Sequence, residues 1–145
     1  MKKRVVLILV AVMMGIGAMG QKNKYEVRNG VGIIPEGTNV IEKGAFKGRE
    51  DLTSIEIPSS ITRIEEEAFK GCSGLKNIHI PASVAIIDEE TFTYCGGLEK
   101  ITVSPDNKFY DSREDCNAII AKVVDILIVG CKNTSMARWG RRPNV

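Results

Sequence analysis

The residues of this 145-residue chain whose types and spacing invite chemistry are few: one histidine, four cysteines and two acidic triplets. His79 stands alone. Zinc sites built from several imidazoles, and chemistry run by a histidine pair, are therefore excluded within one chain. Scattered serines around a single histidine give no Ser-His-acid arrangement. Cys72, Cys95, Cys116 and Cys131 contain no CxxC pair, so zinc binding and thiol redox catalysis have no support. Glu65-Glu66-Glu67 recurs 23 residues later as Asp88-Glu89-Glu90. Calcium needs such convergent oxygens, but the alternating Asp/Asn spacing and glycine of a calcium loop are missing. The equivalent place in the first unit reads Glu42-Lys43-Gly44, so a solvated edge is expected. Gly30-Val31-Gly32 lacks the rest of either phosphate-binding loop. No catalytic residue, metal or cofactor is expected, and the chain reads as a non-enzyme.

The ends of the chain carry its positive charge. Lys2, Lys3 and Arg4 precede an apolar and glycine run from Val5 to Gly20. That run is shorter than a bilayer span and has the pattern of a secretory signal, with Ala18 and Gly20 before a cleavage site at Gln21. The formal charge of +2 comes from 20 basic and 18 acidic residues. Losing residues 1–20 removes three basic ones and leaves 17 against 18. Setting aside Arg138, Arg141 and Arg142 leaves 14 against 18, a mildly acidic body. No nucleic-acid partner is expected, nor a transmembrane segment after signal removal.

A repeat of 23 residues organises the rest. Phe46, Phe69 and Phe92 share that step, as do Leu52, Leu75 and Leu98, and Pro35, Pro58 and Pro81. Ile41, Ile64 and Ile87 form another column, and Ile55, Ile78 and Ile101 another. Ile34, Ile57, Ile80 and Val103 reach a fourth unit. In the unit Leu52 to Gly74, Ile55-x-Ile57 has a strand's alternation, and Pro58 ends it. Ile61 and Ile64 mark a second short apolar segment. Glu65 to Lys70 is expected to form about one helical turn, and Gly71, Ser73 and Gly74 the following loop. One unit buries too little by itself; stacked copies form internal ladders, with the phenylalanines in one column.

The runs IPSSITRIEEEAFKGCSGL and IPASVAIIDEETFTYCGGL, Ile57 to Leu75 and Ile80 to Leu98, resemble the BspA-like leucine-rich repeats of bacterial surface proteins. The resemblance spans about Gly32 to Thr134. It implies a short leucine-rich-repeat solenoid, mainly one parallel sheet with turns and brief helical segments. It also implies a secreted or surface-displayed protein that binds other proteins, in some members host matrix or plasma proteins, without catalysis. The expected organisation is a signal at 1–20, an N-terminal segment at 21–31, repeats at 32–104, a hairpin insert at 105–134 and an unassigned tail at 135–145. The insert is expected to pair Cys116–Ile120 with Ile126–Cys131 around Lys122 to Asp125. Gly130 to Thr134 resembles the family's return to a repeat, but Ser135 to Val145 does not resume one. A second reading therefore stays open: a structural or truncated piece of a longer adhesin with no ligand of its own.

Strand alternation with Ile55 and Ile57 inward turns Ser54 and Glu56 outward, with Asn77 and His79, and Lys100 and Thr102, beside them. This polar strip is the candidate ligand-binding face. A Glu56–His79 contact on it would contribute little. Cys116 and Cys131 flank the hairpin and are the candidate disulfide. Cys72 and Cys95 sit at equivalent places about 5 Å apart by strand spacing, which is compatible with a bridge; the resemblance implies a buried, unbridged column instead. Uncapped ends of the array would invite self-association.

Overall fold

The computed structural model describes residues 24–112, 117–124 and 126–132. Each 23-residue unit gives one short strand to each of two parallel sheets. The first sheet contains β2 (Val31–Ile33), β4 (Ser54–Ile55), β6 (Asn77–Ile80) and β8 (Lys100–Val103), in that order. β1 (Glu26–Arg28) adds an antiparallel strand beside β2. The second sheet is β3 (Val40–Ile41), β5 (Arg63–Ile64) and β7 (Ile86–Ile87). The register follows the repeat step: Ser54 faces Asn77 and Asn77 faces Lys100. In the second sheet Ile41 faces Ile64 and Ile64 faces Ile87. The expected single sheet is thus two, because the column at Ile41, Ile64 and Ile87 pairs its own backbones.

The chain passes from one sheet to the next through a turn that opens at proline. The carbonyls of Pro35, Pro58 and Pro81 accept from Thr38, Ile61 and Val84, three residues on. Proline suits this place, since it cannot extend the ladder it ends.

Among the described residues the segment from Glu65 to Lys70 is a run of turns, and no helix forms. The N–H groups of Ala68, Lys70 and Cys72 reach back three residues, but those of Phe69 and Gly71 donate to Thr91 and Thr93 of the next unit. Beyond its first turn a helix spends its N–H groups on its own carbonyls four residues back. Positive φ at Glu67 (58°) and Gly71 (77°) also breaks the right-handed path.

The phenylalanine, leucine and isoleucine columns fill the space between the sheets. Phe46, Phe69 and Phe92 stack with ring centroids 5.5 and 5.4 Å apart and planes within 5° of parallel. Leu52, Leu75, Leu98, Ile61 and Ile64 are buried beside them. Tyr25 covers the first phenylalanine, with its ring 5.4 Å from Phe46.

Tyrosines also close both edges of the second sheet. The Tyr25 hydroxyl donates to the Val40 carbonyl and accepts the Glu42 N–H, both at 3.1 Å. At the far edge the Tyr110 hydroxyl accepts the Ile87 N–H at 2.9 Å. After Val103, Ser104 takes the place of the proline and its carbonyl accepts from the N–H of buried Asn107, so the turn is kept. The Asn107 amide donates to Pro81 and Val84 carbonyls and its carbonyl oxygen accepts the N–H groups of Phe109 and Tyr110. One side chain thus ties two carbonyls of the third unit to two N–H groups of the segment that follows.

The expected hairpin is present: β10 (Ala118–Ala121) pairs antiparallel with β11 (Ile126–Gly130), with a register shift between Ile119 and Ile120. β9 (Tyr110–Asp111) joins β10 on its other side. Ile119 packs into the repeat core, while Ala118 and Ile120 form a small cluster with Leu127 on the opposite face.

Candidate functional site

The outward strip is built by three parallel strands whose isoleucines are anchored inward. Ile55, Ile78, Ile80 and Ile101 are buried. Their neighbours along the chain emerge on the other face, as the two-residue period requires. Ser54, Asn77 and Lys100 share one row by register, and His79 faces Thr102 in the next. Glu56, Asn77, His79 and Lys100 are exposed, and Ser54 and Thr102 are half-buried. Glu56 follows the last residue of β4 and lies one repeat step before His79.

Across the strip His79 Nδ1 meets Thr102 Oγ1 at 2.9 Å. Among the described residues no ion pair joins Glu56 to His79. The N-terminal hairpin widens the face in a way the repeat did not reveal. Arg28 lies opposite Val31 and Glu26 opposite Ile33, so both rows gain residues. Arg28 and Glu26 form an ion pair at 2.7 Å. The resulting surface is a fixed array of polar and charged groups about 4.8 Å apart from strand to strand. It is suited to binding by several weak contacts.

The acidic triplets have partners that the sequence reading missed. Glu66 pairs with Lys43 at 2.6 Å, and Glu67 sits between Lys47 at 2.6 Å and Lys70 at 2.7 Å. Asp88 pairs with Arg63 at 2.6 Å. Glu65 accepts the Lys43 N–H. The two lysine hydrogen bonds, from Lys47 and Lys70, hold the Glu67 carboxyl at about 2. The signal was available, because Lys43 and Lys47 stand about a unit before Glu66 and Glu67. Their spacing of 20 to 23 residues makes sense only once the units stack.

Cys72 and Cys95 are buried and unbridged. Each thiol donates to the carbonyl of the phenylalanine one unit earlier, Cys72 to Phe46 and Cys95 to Phe69, both at 3.0 Å. Burial pushes the thiols up to about 12 and about 11. A thiol so far above neutrality supplies little thiolate and is a poor nucleophile. Cys131 donates to the Glu99 carbonyl at 3.2 Å. Cys116, the other half of the candidate disulfide, lies outside the described residues, as do the signal and the tail. Among the described residues no helix is long and apolar enough to cross a membrane, and no group of three or more His, Cys, Asp or Glu side chains is set to hold a metal.

A family model described as "BspA type Leucine rich repeat region (6 copies)" matches residues 31–120. A leucine rich cell surface protein from Faecalibacterium prausnitzii A2-165 is similar in structure, with a TM-score of 0.55 and 36% identity. That match covers 61% of this chain and 22% of the other. A leucine-rich repeat protein from Eubacterium ventriosum ATCC 27560 matches with a TM-score of 0.40 and 19% identity, over 70% of this chain and 38% of that one. The chain thus spans well under half the length of either structure. No curated protein matches it. With the family match running through every strand from β2 to β9 and into β10, the chain belongs to the BspA-type leucine-rich repeat family.

Proposed function

We propose that this chain is an exported, non-catalytic binding module of the bacterial cell surface, and that the outer face of its first sheet meets a protein partner. The observation that carries this reading is the register. It aligns Ser54, Asn77 and Lys100 in one row and His79 with Thr102 in another, on a face where Asn77, His79 and Lys100 are exposed. Glu56 completes the second row. The surface location of the Faecalibacterium protein supports display outside the cell, as does the signal pattern at 1–20. A host matrix or plasma protein is the class of partner, and attachment is adhesion by several weak polar contacts. Such contacts gain from multivalent display.

The test is attachment to immobilised matrix and plasma proteins. Glu56→Ala, His79→Ala and Lys100→Ala combined should abolish capture while leaving the melting temperature within a degree or two. Retained capture by the triple variant sinks the strip as the site. Should the wild-type chain capture nothing, the second reading holds: a structural segment of a longer repeat adhesin without its own ligand. That second reading is favoured by the small share of the Faecalibacterium protein that the chain spans.

A further inference from the structure

The hairpin that opens the first sheet turns on the chain's only Asn–Gly pair, Asn29-Gly30. Arg28 faces Val31, so these two residues make the whole turn. Both take positive φ, 51° and 81°, as a type I′ turn requires. Gly30 is held from one side only. Its carbonyl accepts the N–H groups of Thr53 and Ser54 at 2.7 and 3.1 Å and the Thr53 hydroxyl at 2.9 Å. Its own N–H has no acceptor among the described residues. A β-carbon on Gly30 would stand 2.5 Å from Thr53 Oγ1, so the place needs glycine, and no side chain shields that nitrogen. The Asn29 side chain is exposed and makes no hydrogen bond among the described residues.

An uncommitted carboxamide, an unshielded nitrogen one residue on and access to water thus meet in one turn. Asparagine is among the thermally labile residues for the chemistry that this arrangement permits. We propose that Asn29-Gly30 is a self-modification site whose isoaspartyl product loosens the cover over the first repeat unit. The Gly30 nitrogen attacks Asn29 Cγ. The N–Cγ bond forms, the Cγ–Nδ2 bond breaks, and the Gly30 proton leaves with the amide nitrogen as ammonia. Water then opens the resulting succinimide. Opening at Cγ gives aspartate on the original backbone. Opening at the Asn29 carbonyl carbon routes the main chain through Cγ and gives isoaspartate. The net change is one water consumed and one ammonia released, with no oxidation or reduction.

Either product sets a carboxylate beside the Arg28–Glu26 ion pair, at the margin of the polar strip. Isoaspartate also lengthens the backbone of the turn by a methylene. The turn fixes the register of β1 on β2, with Val27 opposite Gly32 and Glu26 opposite Ile33. Tyr25 directly precedes β1. Its ring covers Phe46 and its hydroxyl bonds Val40 and Glu42, so a shifted β1 pulls on that cover.

The test is peptide mapping by mass spectrometry on the full chain, held in mildly alkaline buffer at physiological temperature. Asn29 should gain the mass of an amide turned acid several-fold faster than any other asparagine. Its rate should lie within an order of magnitude of that in a free peptide spanning residues 26–33. Chain enriched in isoaspartate should melt a few degrees below fresh chain. Asn29→Asp carries the charge without the added methylene and should melt close to fresh chain. Asn29→Gly keeps a type I′ turn, and its melting temperature should not drift on the same incubation. Conversion spread evenly over the asparagines, or slower than the peptide by more than that margin, overturns the site. Conversion to aspartate alone, or an isoaspartyl fraction that melts with fresh chain, overturns the loosening. So does an Asn29→Asp chain that melts as low as the isoaspartyl one.

Discussion

The second and third repeat units share the same apolar columns, yet one lies inside the stack and the other ends its phenylalanine column. Phe69 and Ile64 are fully buried, while Phe92 and Ile87 retain 7% and 9% exposure. The Phe69 N–H has an acceptor in the next unit and the Phe92 N–H has none among the described residues. Gly71 takes a φ of 77° without cost, but the equivalent residue in the third unit is Tyr94, held at 61° and 77% exposed. The lesson is that a repeat's stability belongs to its interfaces. The same residues are worth less where one neighbour is missing.

This contrast is open to measurement, and the largest expected effect is on the phenylalanines. Phe69→Ala removes a ring stacked on both faces and should cost about 3–5 kcal/mol in denaturant unfolding. Phe92→Ala, with one stacked face and a shallower site, should cost about 2 kcal/mol. Equal losses would show that the third unit is as enclosed as the second, and the contrast would fail. A smaller effect of opposite sign is expected at Tyr94. Tyr94→Gly relieves a left-handed backbone at a bulky residue and should stabilise by about 1 kcal/mol, whereas Gly71→Ala should cost about as much. If Tyr94→Gly destabilises, the exposed ring is anchoring the end unit.

The smallest effect is electrostatic. Glu67 is held by Lys47 and Lys70, which depress its carboxyl from an ordinary value of 4.5 to about 2. A carboxyl depressed on folding stabilises the folded chain above its unfolded value, and that gain is lost as pH falls from about 4.5 towards 2. An acid titration of unfolding midpoints should therefore slope less for Glu67→Gln than for the wild type across that window. Identical slopes would mean that solvent screens the pairs completely, as it often does for exposed ions.

The repeat read from sequence located nearly every core residue, because a stacked unit must put the same apolar side chain at the same place each time. It also oriented the strip from Ser54 to Thr102, since strand alternation follows from the chain's own geometry once Ile55 and Ile57 face inward. The hairpin at β10 and β11 was legible for the same reason. What failed were features set by where the neighbouring unit sits. The expected helical turn at Glu65 became a chain of turns, since Phe69 and Gly71 give their N–H groups to the next unit. The acidic triplets seemed solvated until stacking brought Lys43 to Glu66, Lys47 to Glu67 and Lys70 to Glu90.

The amino-acid sequence by itself thus determined the family, the 23-residue period, the inward columns and the absence of recognisable catalytic spacing. Those properties are local or periodic, and a single chain carries them in full. Only the tertiary structure decided that the backbone divides into two parallel sheets, that Tyr25 and Tyr110 close the second, and that the Asn107 side chain ties the third unit to the segment after it. It alone also showed that Tyr25 covers Phe46, whereas among the described residues no further ring lies on Phe92. Each of these depends on a hydrogen bond or contact between residues 15 to 26 apart in sequence. Such pairings arise from the packing of one unit on another, and no spacing within a unit announces them.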